Sequence, residues 1–539
     1  MIKKADFVLK SNAVFSSTNE DVFKGGVAIA GNRIVAVGSD KEINQWIGLE
    51  TKVFEYGDEL IMPGFNDSHF HLPDASLFNN ENYCLDLSAC HSEEDCVTLV
   101  EEFAKKHPEN AWIYGMGWNY WMWNNPVMPT RRSLDKINMD KPICLSAFDL
   151  HSTWVNKKAL EVIGIDRNTP DPEVGSIWKF EDGEPSGLLS EKDACMMATT
   201  PALTVPIGQL KASIITLLKK ANQFGITTIG DVFPRSVAKE NAYDIFQSLD
   251  DEGNLSARIM FFPELKKDLT EAKKLKERFT SAKVRFCGLK QLADGVVEAH
   301  TAFMVEPYSD DPSTRGEMVI PAELLREEII NADKEGISVR IHTIGDGTVR
   351  HCLNCIEEAQ KLNGKKGLRH ALEHIENIQA NDIPRLSELG VVASMQPLHC
   401  ISNVEGYPVL VGEERVQRSW AIKTIINSGA RYSFGTDAPV VDMNPFLSIH
   451  AGVTRTTPKG YPEGGFNPKE KISIAEVLKG YTTGAAYVEN FDDQLGTLEV
   501  GKLADIIVLS KNLFAIPTDE ILKTTVKLTI LDGKVVHEE

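Results

Sequence analysis

The sequence predicts an α/β protein built on a (β/α)8 barrel, with a small β domain made by both chain termini and an insertion after the first barrel strand. Three observations carry this reading. Strand-like and helix-like stretches alternate through about the middle four hundred residues, both ends of the chain read as short strands, and one interval from about 73 to 206 breaks the rhythm.

The front of the chain sets the first element. "ADFVLKSNAVF", "GGVAIAGNRIVAVGS" and "TKVFEYG" are short strands separated by turn residues, with "GN" as a hairpin signal. At the back, "GKLADIIVLS" and "VKLTILDGKVVHE" repeat the style, and "DG" suits a tight primed turn. Neither end has enough strands to enclose a core, so residues 1–60 and 491–539 are expected to pair into one β domain. That leaves 61–490 for the barrel.

The barrel strands follow in order: "ELIMPGFND", "ITTIGDV", "ARIMFFP", "VRFCGLKQLAD", "ISVRIHTIG", "LRHALEH", "VVASMQP" and "RYSFGTD". Amphipathic periodicity lies between them, as in "PIGQLKASIITLLKKANQFG", "PAELLREEIINADKEG", "DGTVRHCLNCIEEAQKLNG" and "RVQRSWAIKTIINSG". Eight such units fit a closed barrel better than an open sheet. The interval of about 73–206 holds six of the eight tryptophans, including Trp118, Trp121 and Trp123 in "GWNYWMWNNP". Loops at the C-terminal ends of barrel strands carry function, so an insertion there is expected to roof a site. Trp118 and Trp121 then either line a substrate pocket or pack a small separate core.

Composition narrows the function. The 539 residues carry 57 Lys and Arg against 77 Asp and Glu, a formal charge of −20 that repels phosphate backbones and anionic membranes. Nucleic acid and membrane are excluded as expected partners; a small molecule is the expected one, with a homodimer left open. The start has no uninterrupted apolar stretch of signal length, so a cytoplasmic protein is expected. The nine cysteines read as reduced thiols; Cys352 and Cys355, with two residues between them, leave a redox or zinc role open but have no second pair nearby.

Chemistry begins at "PGFNDSHFHL", where His69 and His71 share one face of a strand with Asp67 behind them. Two imidazoles at a strand end make half a metal site. Lys290, His342, His374 and Asp437 fall at the ends of later barrel strands, where aliphatics would otherwise be preferred. In "VRFCGLKQLAD", Lys290 shares its face with Val284, Phe286 and Leu292, and a bare ammonium there is costly to desolvate. Carboxylation of that amine by CO2 would turn it into an anionic oxygen donor.

The set "DSHFH", "GLKQLADG", "VRIHTIGD", "ALEHIEN" and "SFGTDAPV" resembles the metal-dependent amidohydrolase superfamily. "GMGWN", "DLHSTWVNKKAL", "GITTIGDV", "TAFMVEPY" and "GTDAPV" look like its amidohydrolase family 3 branch, which contains the N-substituted formamide deformylases. The resemblance implies a TIM barrel with a β-sandwich from both termini. It implies metal ligands at His69, His71, Lys290 as a carbamate, His342, His374 and Asp437. The donors suit Zn2+, as one or two ions, with Fe, Mn or Ni able to occupy the same set. A metal-activated hydroxide would attack a carbonyl carbon, with Asp437 shuttling the proton to the departing nitrogen.

His399 in "SMQPLHC" is a second catalytic candidate that could hydrogen-bond the carbonyl oxygen, or else face water. His151 and Glu191 in the insertion could reach the substrate, Glu191 also offering an alternative bridging carboxylate. Asp346 is expected to cap the next helix, and His370 to sit beneath His374 on the same strand face. The expected function is hydrolysis of a non-peptide C–N bond in a small, apolar or aromatic N-substituted substrate. The rivals are ester, lactone or phosphoester hydrolysis in the same site, or a silent, metal-free binding protein.

Overall fold

The computed structural model describes residues 4–137, 139–234 and 241–539. The chain divides into two compact units. The first comprises Met1–His71, Leu218–Pro234 and Phe246–Glu539, and the second Leu72–Leu217 with the described residues 241–245.

The first unit holds two parallel sheets. One joins β1 (Phe65–Phe70), β2 (Ile226–Val232), β3 (Arg258–Phe262) and β4 (Val284–Phe286) in the order β4-β3-β2-β1. The other runs β5 (Leu289–Leu292), β6 (Val339–Thr343), β7 (Ala371–His374), β8 (Val392–Met395) and β9 (Tyr432–Phe434) in chain order. Strands covered on both faces are near-continuous apolar runs, and β1, β2 and β3 are buried at every position. Helices such as Ala322–Lys334 and Asp346–Asn363 separate the strands, as parallel pairing requires.

β4 and β5 follow one another across Cys287 and Gly288, so the nine strands fill eight positions. Backbone bonds connect β5 to the segment just past β3, and β1 to the segment just past β9. Lys290 N donates to Pro263 O at 2.8 Å and Leu265 N to Lys290 O at 2.7 Å. On the other side Asp437 N donates to His69 O at 2.7 Å and His71 N to Ala438 O at 2.9 Å.

The chain ends meet in one eight-stranded sheet that branches at Phe7–Val14, which pairs with both Lys52–Glu55 and Leu60–Pro63. The join is Leu60–Pro63, antiparallel to Ile506–Leu509. "ELIMPGFND" is therefore two strands: its first half belongs to the terminal sheet, and the break at Pro63–Gly64 releases the chain into β1. Arg258 of β3 ties this sheet down, with Nε 2.6 Å from Asp505 Oδ2 and Nη2 3.0 Å from Asp532 Oδ1.

The second unit has a six-stranded sheet of its own, ordered Ser176–Lys179, Pro185–Ser190, Ser152–Val155, Ile143–Ala147, Ile113–Trp118, Cys84–Asp86. Trp118, Trp123 and Trp154 anchor its core, with Trp118 6.2 and 6.3 Å from the other two rings. Among the described residues no single helix is long and apolar enough to cross a membrane, although one bent pair, Lys192–Ala202 with Ile207–Gln223, passes by length and composition. All nine cysteines are buried and outside disulfides.

Candidate metal centre

Three of the expected ligands converge closely. His69 on β1, His374 at the end of β7 and Asp437 just past β9 are buried, and one donor atom from each lies within 4.8 Å of the other two. His71 Nε2 is 3.1 Å from Asp437 Oδ1, and His69 Nε2 is 3.3 Å from the same oxygen. The His342 ring stands 4.5 Å from that of His374. His399 Nε2 is 3.8 Å from Asp437 Oδ2. Lys290 is buried on β5 and its Nζ has no hydrogen-bond partner.

Local backbone explains the convergence. Strand alternation alone would turn Glu373 inward and His374 outward. His374 adopts φ 71° and Ile375 φ 49°, a left-handed turn that swings the imidazole back toward the centre. Asp437 is also left-handed at φ 66°. Gly435 lets the two chains touch, since a Cβ there would stand 2.4 Å from His69 N. Asp67 fixes the same seam, accepting from Thr436 N at 2.8 Å and from Thr436 Oγ1.

The electrostatics suit a cation. Burial pushes the Asp437 carboxyl up, but the neighbouring His69 and His71 carry it well below the usual carboxylate range. Burial and the His342 ring push His374 well down, and burial lowers His399, so both favour the neutral imidazole that ligates metal. Burial brings the Lys290 amine down to about 8. Asp437 Oδ1 lies near two histidine nitrogens yet makes no hydrogen bond, and His399 Nε2 and Lys290 Nζ are equally unpartnered. Buried polar atoms that approach one another without bonding fit a shared ion.

Other expectations need correction. His370 does not sit beneath His374: its Nε2 pairs with Asp333 Oδ2 at 3.1 Å, outward on the helix Ala322–Lys334. The same left-handed turn at His374 breaks the parity that put them together. Asp346 is no cap; Gly345 holds that position, and the Asp346 carboxylate accepts from Val305 N at 2.8 Å and from Gln379 Nε2.

The substrate-pocket candidates lie in the second unit. Trp118 is 1% exposed and its Nε1 donates to Leu145 O at 2.9 Å, so packing is the alternative that describes it. Trp121 is 40% exposed and rests 4.8 Å from the Tyr120 ring. His151 Nδ1 is 2.9 Å from Glu191 Oε2, and Glu191 is held at φ 65°.

Three polar residues of the centre were not anticipated: Glu373, whose Oε2 lies 2.5 Å from His69 Nδ1; Arg340, bound to the other oxygen of Glu373; and Gln396, whose Oε1 is 2.8 Å from His374 Nδ1. For Arg340 and Glu373 the signal is a pair of opposite charges at interior positions of two neighbouring strands, "VRIH" and "ALEH"; Gln396 has no such signal.

Buried imidazoles and a carboxylate meeting at the C-terminal ends of parallel strands define a metal-binding hydrolase. A family model described as the amidohydrolase family matches residues 57–537. The chain is 30% identical over 518 residues to Protein LONG AFTER FAR-RED 3 of Arabidopsis thaliana, covering 94% of this chain and 88% of that one. It is 23% identical over 527 residues to the N-substituted formamide deformylase of Arthrobacter pascens, covering 95% and 94%. The crystal structure of an uncharacterized metal-dependent hydrolase from Pyrococcus furiosus superposes with a TM-score of 0.72 at 26% identity, covering 94% and 99%. The chain belongs to the amidohydrolase family, and acts as a hydrolase on carbon–nitrogen bonds.

Proposed function

We propose that the protein hydrolyses a non-peptide amide bond in a small N-substituted substrate, one whose substituent is apolar or aromatic. The observation that carries this is the convergence of His69, His71, His374 and Asp437, with the buried Asp437 Oδ1 left without a hydrogen bond. The N-substituted formamide deformylase relative supports the substrate class. The backbone bonds that connect the two sheets on either side support a closed eight-position barrel, with the centre at its mouth.

His69, His71, His342, His374 and Asp437 would hold the ion, and the nitrogen and oxygen donors favour Zn2+. Lys290 would join them as a carbamate, because an amine brought toward neutrality is the form that adds CO2. A cation held there supplies Lewis acidity, lowering the pKa of water and polarising a carbonyl. Asp437, kept ionised, accepts the proton of the attacking water and returns it to the departing nitrogen. His399, favoured neutral and 3.8 Å from Asp437, would hydrogen-bond the carbonyl oxygen. The compartment proposed is the cytoplasm, where nine thiols stay reduced.

The test is reconstitution. Metal-stripped protein reloaded with Zn2+ and bicarbonate should cleave N-substituted formamides faster than the matched esters. Turnover of esters alone would move the protein to another reaction in the same site.

A further inference from the structure

Glu373 is fully buried and both its oxygens are engaged. Oε1 accepts from Arg340 Nε at 2.6 Å, and Oε2 faces His69 Nδ1. Arg340 is itself fixed: Nη2 donates to Ser394 Oγ at 2.9 Å, and the guanidinium lies 4.6 Å from the Phe262 ring centroid. A carboxylate accepts and does not donate, so the proton between them belongs to His69 Nδ1. In the neutral ring, the form that ligates metal, the lone pair of His69 is then on Nε2, the nitrogen that faces Asp437 Oδ1 at 3.3 Å. One short strand, β7, thus supplies a candidate ligand in His374 and, one residue earlier, the group that orients a ligand on β1.

We propose that Glu373, clamped by Arg340, is a positioning residue that holds His69 with its proton on Nδ1 and aims Nε2 at the metal centre. This rests on the metal-centre reading above. A bare core ion pair would contribute to folding and leave metal affinity alone; a positioning carboxylate sets affinity, with losses of about 10–100-fold when such a partner is removed.

The experiment measures Zn2+ affinity of the full chain by chelator competition, for wild type, Glu373→Gln, His69→Ala and the double variant. Glu373→Gln should weaken Zn2+ binding by roughly 10–100-fold, while in the His69→Ala background the same change should add nothing. A second readout covers a variant that fails to fold. In cadmium-loaded wild type with isotope-labelled histidines, His69 should carry its proton on Nδ1 and show metal coupling on Nε2. Wild-type affinity in Glu373→Gln, an equal loss with and without His69, or metal coupling on His69 Nδ1 would each overturn the proposal. Wild type that binds neither ion would instead bring down the metal-centre reading and this inference with it.

Discussion

Gly435→Ala is a minimal perturbation of the seam that brings β1 and β9 together. The added methyl would stand 2.4 Å from His69 N, 2.6 Å from its Cβ and 2.8 Å from its Cα, where ordinary contact begins at 3.4 Å. Two of the three obstructing atoms are backbone, so no side-chain rotation relieves them, and the seam must open by about 1 Å. His69 and Asp437 sit on opposite sides of it, joined by the 2.7 Å bond from Asp437 N to His69 O. Overpacking of this kind costs about 1–3 kcal/mol, and a ~1 Å misplacement of reacting groups about 10²-fold in rate. The variant should fold, lose metal on dialysis and drop in turnover by that order. Gly208→Ala is the control: it lies in the helix Ile207–Gln223 with nothing within 4 Å of the new methyl, and should gain about 0.5–1 kcal/mol without touching metal retention. Unchanged metal content and turnover in Gly435→Ala would refute the claim that this contact sets the geometry of the centre.

Asp437→Asn should keep most of its metal, measured by elemental analysis, yet lose at least ~10²-fold in turnover as a lost proton shuttle. Lys290→Met should stabilise the metal-free, CO2-free protein near pH 7, read as a rise in Tm. The Lys290 pKa is about 8 in the fold against an ordinary 10.5, so the unfolded chain keeps a proton that the folded chain sheds. Its burial penalty is therefore full below about pH 8 and fades as pH rises toward 10.5, and the advantage of Met should shrink across that window. Arg258→Ala should cost about 3–5 kcal/mol in denaturant unfolding, because it strands the buried Asp505 where the terminal sheet meets β3.

What the sequence disclosed follows from which features are local. His69 and His71 were legible because two-residue spacing on a strand is a parity argument, and Lys290 because an ammonium among Val284, Phe286 and Leu292 has no ordinary reason to be there. Strand parity puts His370 on the face of His374, and the structure does not, since a left-handed residue inside a strand end leaves no mark on the hydrophobic pattern. Glu373 and Arg340 carry a weaker signal, opposite charges at interior strand positions, and only the pairing of β1, β6 and β7 shows that they are partners. Asp346 looked like a cap from its position before a helix, and three-dimensional contacts with Val305 and Gln379 took it elsewhere. Leu60–Pro63 joined the terminal sheet because Ile506–Leu509, more than four hundred residues away, offers its edge. Trp118 could not be assigned from composition, for an aromatic cluster reads the same whether it packs or lines a pocket.

Diffraction from Zn2+-loaded crystals, with anomalous data collected at the zinc edge, tests the metal centre most directly. The expected map has its anomalous peak between His69 Nε2, His71 Nε2 and Asp437 Oδ1, roughly 2 Å from each donor, with added density on Lys290 Nζ. A peak bound elsewhere on the chain, with these side chains left as they are, would contradict the assignment.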